Sequence, residues 1–151
     1  MSGESGGPEK VIDARSAGTM FRGFEIILAA DLAVAVEDVM IGDQHMKVGM
    51  FGAGGSPYRL PQVIGLKKAK ELLLTGKWIT GKEAEEMGLV NKAVPADQFE
   101  QAIEAMTAEL VDKDPMTMRI TKNYINSMTL TDVSTKVEVA MLSAVVNGQS
   151  K

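Results

Sequence analysis

The chain has 151 residues, one domain by length, and its 45% apolar content suits a globular protein able to bury roughly two-thirds of its unfolded surface. A net charge of −4 leaves no basic footprint for nucleic acid, and no apolar run reaches the roughly 18 residues of a membrane helix. The absence of Cys removes disulfide and thiolate chemistry, and nothing resembles a secretory leader, so a cytoplasmic protein without membrane or nucleic-acid partners is expected.

Met1 to Lys10 is rich in Gly, Ser, Glu and Pro and reads as a disordered leader over residues 1–10. Val11-Ile12 is the stub of a strand. Phe24 to Ala30 reads as a buried helix, apolar nearly all round, and Leu32 to Val36 as a strand led by Asp31. Val39-Met40-Ile41 is a further candidate strand. Ser56-Pro57 opens a helix, with Ser56 as N-cap, that stops at Gly65. Leu66 to Thr75 is the next helix, closed by Gly76. Thr80-Gly81-Lys82-Glu83 is a capping box, in which Thr80 and Glu83 satisfy each other's end amides, and the short helix it starts ends at Gly88. Leu89 to Val94 is a strand closed by Pro95. Three helices complete the chain: Ala96 to Asp112, Pro115 to Met128 and Asp132 to Asn147, with apolar stripes that read as packing surfaces. The division is a strand-and-turn region over residues 11–95 followed by a helical region over 96–151.

Several segments stand in a telling order. Arg22-Gly23-Phe24-Glu25 is a glycine turn opening an apolar helix. Ile41-Gly42-Asp43-Gln44-His45 and Gly52-Ala53-Gly54-Gly55-Ser56 follow, then Leu72-Leu73-Leu74-Thr75-Gly76-Lys77 and Ala84-Glu85-Glu86-Met87-Gly88-Leu89-Val90-Asn91. Together they resemble the enoyl-CoA hydratase/isomerase family, the crotonase superfamily, and roughly its C-terminal half. The resemblance implies an α/β fold: a partial crotonase-like ββα spiral core followed by a C-terminal helical oligomerisation region that forms trimers or hexamers. It implies stabilisation of an enolate on an acyl-CoA thioester, in fatty acid metabolism, by a lyase or isomerase. Coenzyme A then arrives as part of the substrate, and no separate cofactor is expected.

That chemistry needs donors aimed at the enolate oxygen and an acid or base beside the carbon that exchanges a proton. The family's Gly-Gly-Gly turn matches Arg22 and Gly23, whose amides would form one side of an oxyanion hole at a helix N-terminus. Arg22 departs from the family's glycine there; its amide donates as well, but its side chain crowds the approach. Glu25 matches the family's first acid/base. The alternative is a plain helix-capping carboxylate, as the alternative for Gly23 is a simple turn. His45 stands where the family has its second Glu, in Phe-Gly-x-Pro-Glu. It is the chain's only His, a residue type able to act as acid or base, or else an inert loop residue. Asp43 is a fallback acid. Phe51, Gly52, Ala53 and Gly54 match the loop that lines the acyl pocket, or form a structural turn. That loop lacks both the P-loop ending and GxGxxG spacing.

Lys67, Lys68 and Lys70 form either a solvated face or a contact to CoA phosphates. No residues show metal-ligand spacing, and no Gly-x-Ser-x-Gly elbow occurs. With the family's first half and its last helical stretch unmatched, little hydratase activity is expected of this chain alone. A non-catalytic fragment or assembly module is the alternative.

Overall fold

The computed structural model describes residues 11–13, 22–52 and 54–129. Its organising strand is β2, Leu32–Val36, whose Leu-Ala-Val-Ala-Val run has no polar alternation and suits burial on both faces. β2 lies between β1 (Val11–Asp13) and β5 (Lys92–Val94) in a parallel sheet of order β1-β2-β5. Val11 pairs with Leu32, and Val34 with Lys92.

The period-2 alternation of β2 assigns its side chains to two cores. Val34 packs with Val94, Phe99 and Ala102, under helix α5 (Phe99–Val111). Ala33 and Ala35 join the larger core with Phe24, Ile27 and Leu28 of α1 (Arg22–Ala29), Leu60 of α2 (Ser56–Ile64), and Ala69 and Leu72 of α3 (Leu66–Thr75). Ala84 of α4 (Gly81–Glu86), with Leu89 and Val90, completes it. The small side chains at Ala33 and Ala35 leave room for that helical layer.

Most expected elements are present, with displaced ends. α1 begins at Arg22 rather than Phe24, because apolar periodicity cannot locate a first turn made of Arg and Gly. The helix is one-sided rather than buried all round: Phe24, Ile27 and Leu28 are buried, whereas Ile26 is 49% exposed. The strand expected over Leu89–Val94 is only Lys92–Val94. Asn91 extends the pairing by other means, donating its backbone N–H to the Ala33 carbonyl and accepting the Ala33 N–H on its side-chain Oδ1, both at 2.8 Å. The candidate strand at Val39–Ile41 is present as β3 (Met40–Ile41), but nothing local in the sequence announces its antiparallel partner β4 (Ile79–Thr80).

Ser56 is not the N-cap of α2. Gly55 holds that position with φ 129°, where a side chain is strained, and Ser56 is drawn inside the helix. The helix expected over Ala96–Asp112 splits into a 3-10 turn, Ala96–Gln98, and α5. α6, Pro115–Thr129, starts after Asp114, whose carboxylate accepts the Thr117 N–H at 2.7 Å. Among the described residues no helix is long and apolar enough to cross a membrane. The leader over residues 1–10 and the helix expected at Asp132 to Asn147 lie outside the described residues.

Candidate functional site

Three segments that are distant in sequence meet at the glycine loop before α2. The first is the start of α1. The opening turn of a helix presents N–H groups with no acceptor inside the helix, at the positive end of its dipole. Arg22 and Gly23 supply two of these amides, and Glu25 lies in the same turn. The Glu25 carboxylate lies against Gly54 so closely that a Cβ there would overlap both its oxygens. Its Oε1 is buried, with no hydrogen-bond partner among the described residues. A sealed carboxylate oxygen without a donor is costly, and native structures keep few of them.

The second segment runs from Gly42 to His45. Asp43 is only 3% exposed. Its Oδ1 accepts the backbone N–H of His45 at 3.0 Å and meets His45 Nδ1 at 2.7 Å. Its Oδ2 is buried without a partner among the described residues. Gln44 is buried too, and its Nε2 donates to the Gly76 carbonyl at 3.0 Å. That bond ties this segment to the C-terminal end of α3. Gly42 permits the fit: a Cβ there would stand 3.0 Å from the Lys77 carbonyl oxygen and from the Trp78 ring.

The loop itself is the third segment. A Cβ on Gly52 would stand 3.1 Å from His45 Nδ1 and 3.2 Å from Asp43 Oδ2. Gly52 therefore backs the Asp43–His45 pair, while Gly54 backs Glu25. These glycines are two residues apart in sequence, so their α-carbons lie within about 7 Å of each other. Ser56, just beyond, is fully buried, and its Oγ has no partner among the described residues. Three unsatisfied polar atoms thus gather around one short loop.

Of the residues picked out from sequence, Glu25, His45, Gly52 and Gly54 converge on this loop. Arg22 and Gly23 stand three and two residues before Glu25, in the same first turn of α1. Phe51 is 42% exposed, beside the buried Gly52. Ala53 lies outside the described residues. Lys67, Lys68 and Lys70 are all exposed on α3, with Lys68 loosely paired to Glu71 at 3.9 Å. Sequence reasoning missed the Asp43–His45 partnership. The available signal was the Asp-x-His spacing, since an Asp side chain commonly accepts the N–H two residues on. It also missed the burial of Ser56.

Among the described residues, two carboxyls are held below their ordinary range, and both belong to helix caps. Hydrogen bonds from the backbone and hydroxyl of Thr80 lower Glu83, and those from the hydroxyl and backbone of Thr117 lower Asp114. A groove of about 200 Å³ lies elsewhere, lined by Leu28, Asp31, Arg59, Gln62, Val63 and Asn126. Among the described residues no three His, Cys, Asp or Glu are placed to hold a metal ion.

The arrangement offers proton-carrying groups on two sides of a loop that lies next to a helix N-terminus. Comparison with known proteins gives this geometry a context. The chain is 30% identical over 131 residues to a short-chain-enoyl-CoA hydratase of Clostridioides difficile, covering 87% of this chain and 84% of that protein. It is 34% identical over 133 residues to the putative enoyl-CoA hydratase/isomerase YngF of Bacillus subtilis (strain 168), and there it covers 87% of this chain but 51% of the relative. The fold matches a crystal structure of an enoyl-CoA hydratase from Mycobacterium avium with a TM-score of 0.77 at 27% identity, covering 87% of this chain and 60% of that one. The chain thus spans about half the length of YngF, and its α/β architecture is that of the crotonase fold. The family model for enoyl-CoA hydratase/isomerase matches residues 10–150, and the chain belongs to that family.

Proposed function

We propose that the protein acts on, or binds, an acyl-CoA thioester by stabilising an enolate, as a lyase or isomerase of fatty acid metabolism. The carrying observation is the sealed, unpartnered Oε1 of Glu25, held against the same glycine loop as His45. In this reading Glu25 moves the proton at the carbon beside the thioester carbonyl. His45 is the second proton carrier, where the family has a carboxylate. The amides of Arg22 and Gly23 make one side of the oxyanion hole, worth about 100- to 1000-fold per donor. Phe51, Gly52, Ala53 and Gly54 line the acyl chain, and coenzyme A is part of the substrate.

The reading takes the chain as the counterpart of the family's C-terminal half, residing in the cytoplasm and assembling as a trimer or hexamer. Exposed Met116, Ile120, Tyr124 and Ile125 on α6 support self-association, since an apolar face of this kind seeks cover. A stable monomer at micromolar concentration by light scattering would contradict it. A second reading, a non-catalytic binding or assembly module, is supported by Arg22 in the glycine turn and by the 51% coverage of YngF.

Hydration of crotonyl-CoA by the chain and by Glu25→Gln separates the two. Slow hydration that disappears in Glu25→Gln is expected of the enzyme. Thioester binding with no turnover in either protein is expected of the module.

A further inference from the structure

We infer that Asp43 is a positioning residue, which fixes His45 as the Nδ1–H tautomer and commits Nε2 to proton transfer. The inference rests on the reading of His45 as a proton carrier. One oxygen of Asp43 engages His45 twice, at the backbone N–H (3.0 Å) and at ring Nδ1 (2.7 Å). A carboxylate can only accept hydrogen bonds, so the ring nitrogen facing it carries a proton in the neutral and the charged ring alike. The proton that comes and goes is then the one on Nε2. When Nε2 takes a proton from substrate or water, the imidazolium forms beside the Asp43 charge; when Nε2 returns it, the neutral Nδ1–H ring is restored.

The support behind this pair is firm. Asp43 is 3% exposed, and the side chain of His45 is 11% exposed. Gln44, between them, is pinned to the Gly76 carbonyl, and Gly52 backs the Asp43–His45 contact. A fixed backbone bond and a fixed ring bond on one oxygen leave the imidazole little freedom to rotate. Positioning of this kind is how a neighbouring carboxylate serves a catalytic His.

The test uses the full chain labelled with ¹⁵N. With one His in the sequence, ring ¹H–¹⁵N correlations report a single imidazole. The neutral ring is expected to be protonated at Nδ1 in the parent and to shift toward the Nε2–H form in Asp43→Asn, where the amide can donate as well as accept. An Nε2–H ring in the parent overturns the inference, whether or not Asp43→Asn folds. On crotonyl-CoA, Asp43→Asn is expected to lower kcat by about 10- to 100-fold, part of what a positioned acid or base contributes, with KM nearly unchanged. An unchanged kcat in a variant whose tautomer has shifted also overturns it. A parent with the Nδ1–H ring and no thioester turnover supports the positioning by Asp43 and counts against the proposed activity instead.

Discussion

Two glutamates in this molecule occupy the first turns of helices and have opposite fates. Glu83, at the start of α4, is exposed and closes a complete capping box. Its Oε2 accepts the Thr80 N–H at 2.7 Å and the Thr80 hydroxyl at 3.2 Å, and the Glu83 N–H returns a bond to Thr80 Oγ1 at 3.1 Å. Its acceptor capacity is spent on the helix. Glu25, at the start of α1, is half-buried, with one oxygen sealed and unpartnered against Gly54. Residue type is the same, and both stand in a helix's first turn, Glu25 as the fourth residue of α1 and Glu83 as the third of α4. What differs is the segment that packs on each: for Glu83 its own cap, for Glu25 a glycine loop about 30 residues away in sequence. A carboxylate left unsatisfied at such a place keeps acceptor capacity to spare; one closed into a capping box does not.

Glycine substitutions separate the two roles most sharply. Gly54→Ala puts a methyl on the Glu25 carboxylate, the far end of a side chain that can swing aside. Stability should change little, while turnover should fall by up to the 10²- to 10⁴-fold, roughly, that a positioned acid or base supplies. Gly81→Ala, at the start of α4, drives its methyl into the Val36 carbonyl, which is backbone and cannot yield in the same way. It should cost about 1–3 kcal/mol of stability, read by denaturant melts. Equal loss of stability in both variants would erase the distinction.

A smaller effect is expected at the cap. Thr80→Ala should cost about 1 kcal/mol and leave acyl-CoA turnover intact. It should also raise the Glu83 pKa, but only in part, because the larger lowering contribution comes from the backbone N–H of residue 80, which alanine keeps, and only the smaller hydroxyl contribution is lost. The smallest effect is the pH dependence of the cap itself. The pKa of Glu83 is depressed in the folded protein, so its contribution is present above the unfolded value and is lost as the pH falls through the folded one. An NMR titration that finds Glu83 in the ordinary range would contradict this.

Local signals proved legible where one segment settles its own structure. The capping box at Thr80 and Glu83, the Gly76 stop after α3 and the Pro115 start of α6 all carry their chemistry within four residues. Glu25 and His45 stood out because a motif named their positions. Illegible were features set by distant backbone: the β3–β4 pair, the side-chain bond from Ala33 to Asn91, and the choice of Gly55 over Ser56 as cap. The Asp43–His45 contact lies between, visible as a spacing but decided by burial. The packing of Gly54 on Glu25 had no local signal, since only the fold brings residue 54 to residue 25.

The most direct measurement is proton exchange at the carbon beside the thioester. Butyryl-CoA in deuterated water, followed by NMR, should take up deuterium at that carbon in the presence of the chain. Glu25→Gln should slow the uptake by at least about 100-fold with an unchanged melting temperature. Equal uptake in the two proteins would show that the Glu25 carboxylate does not carry the proton.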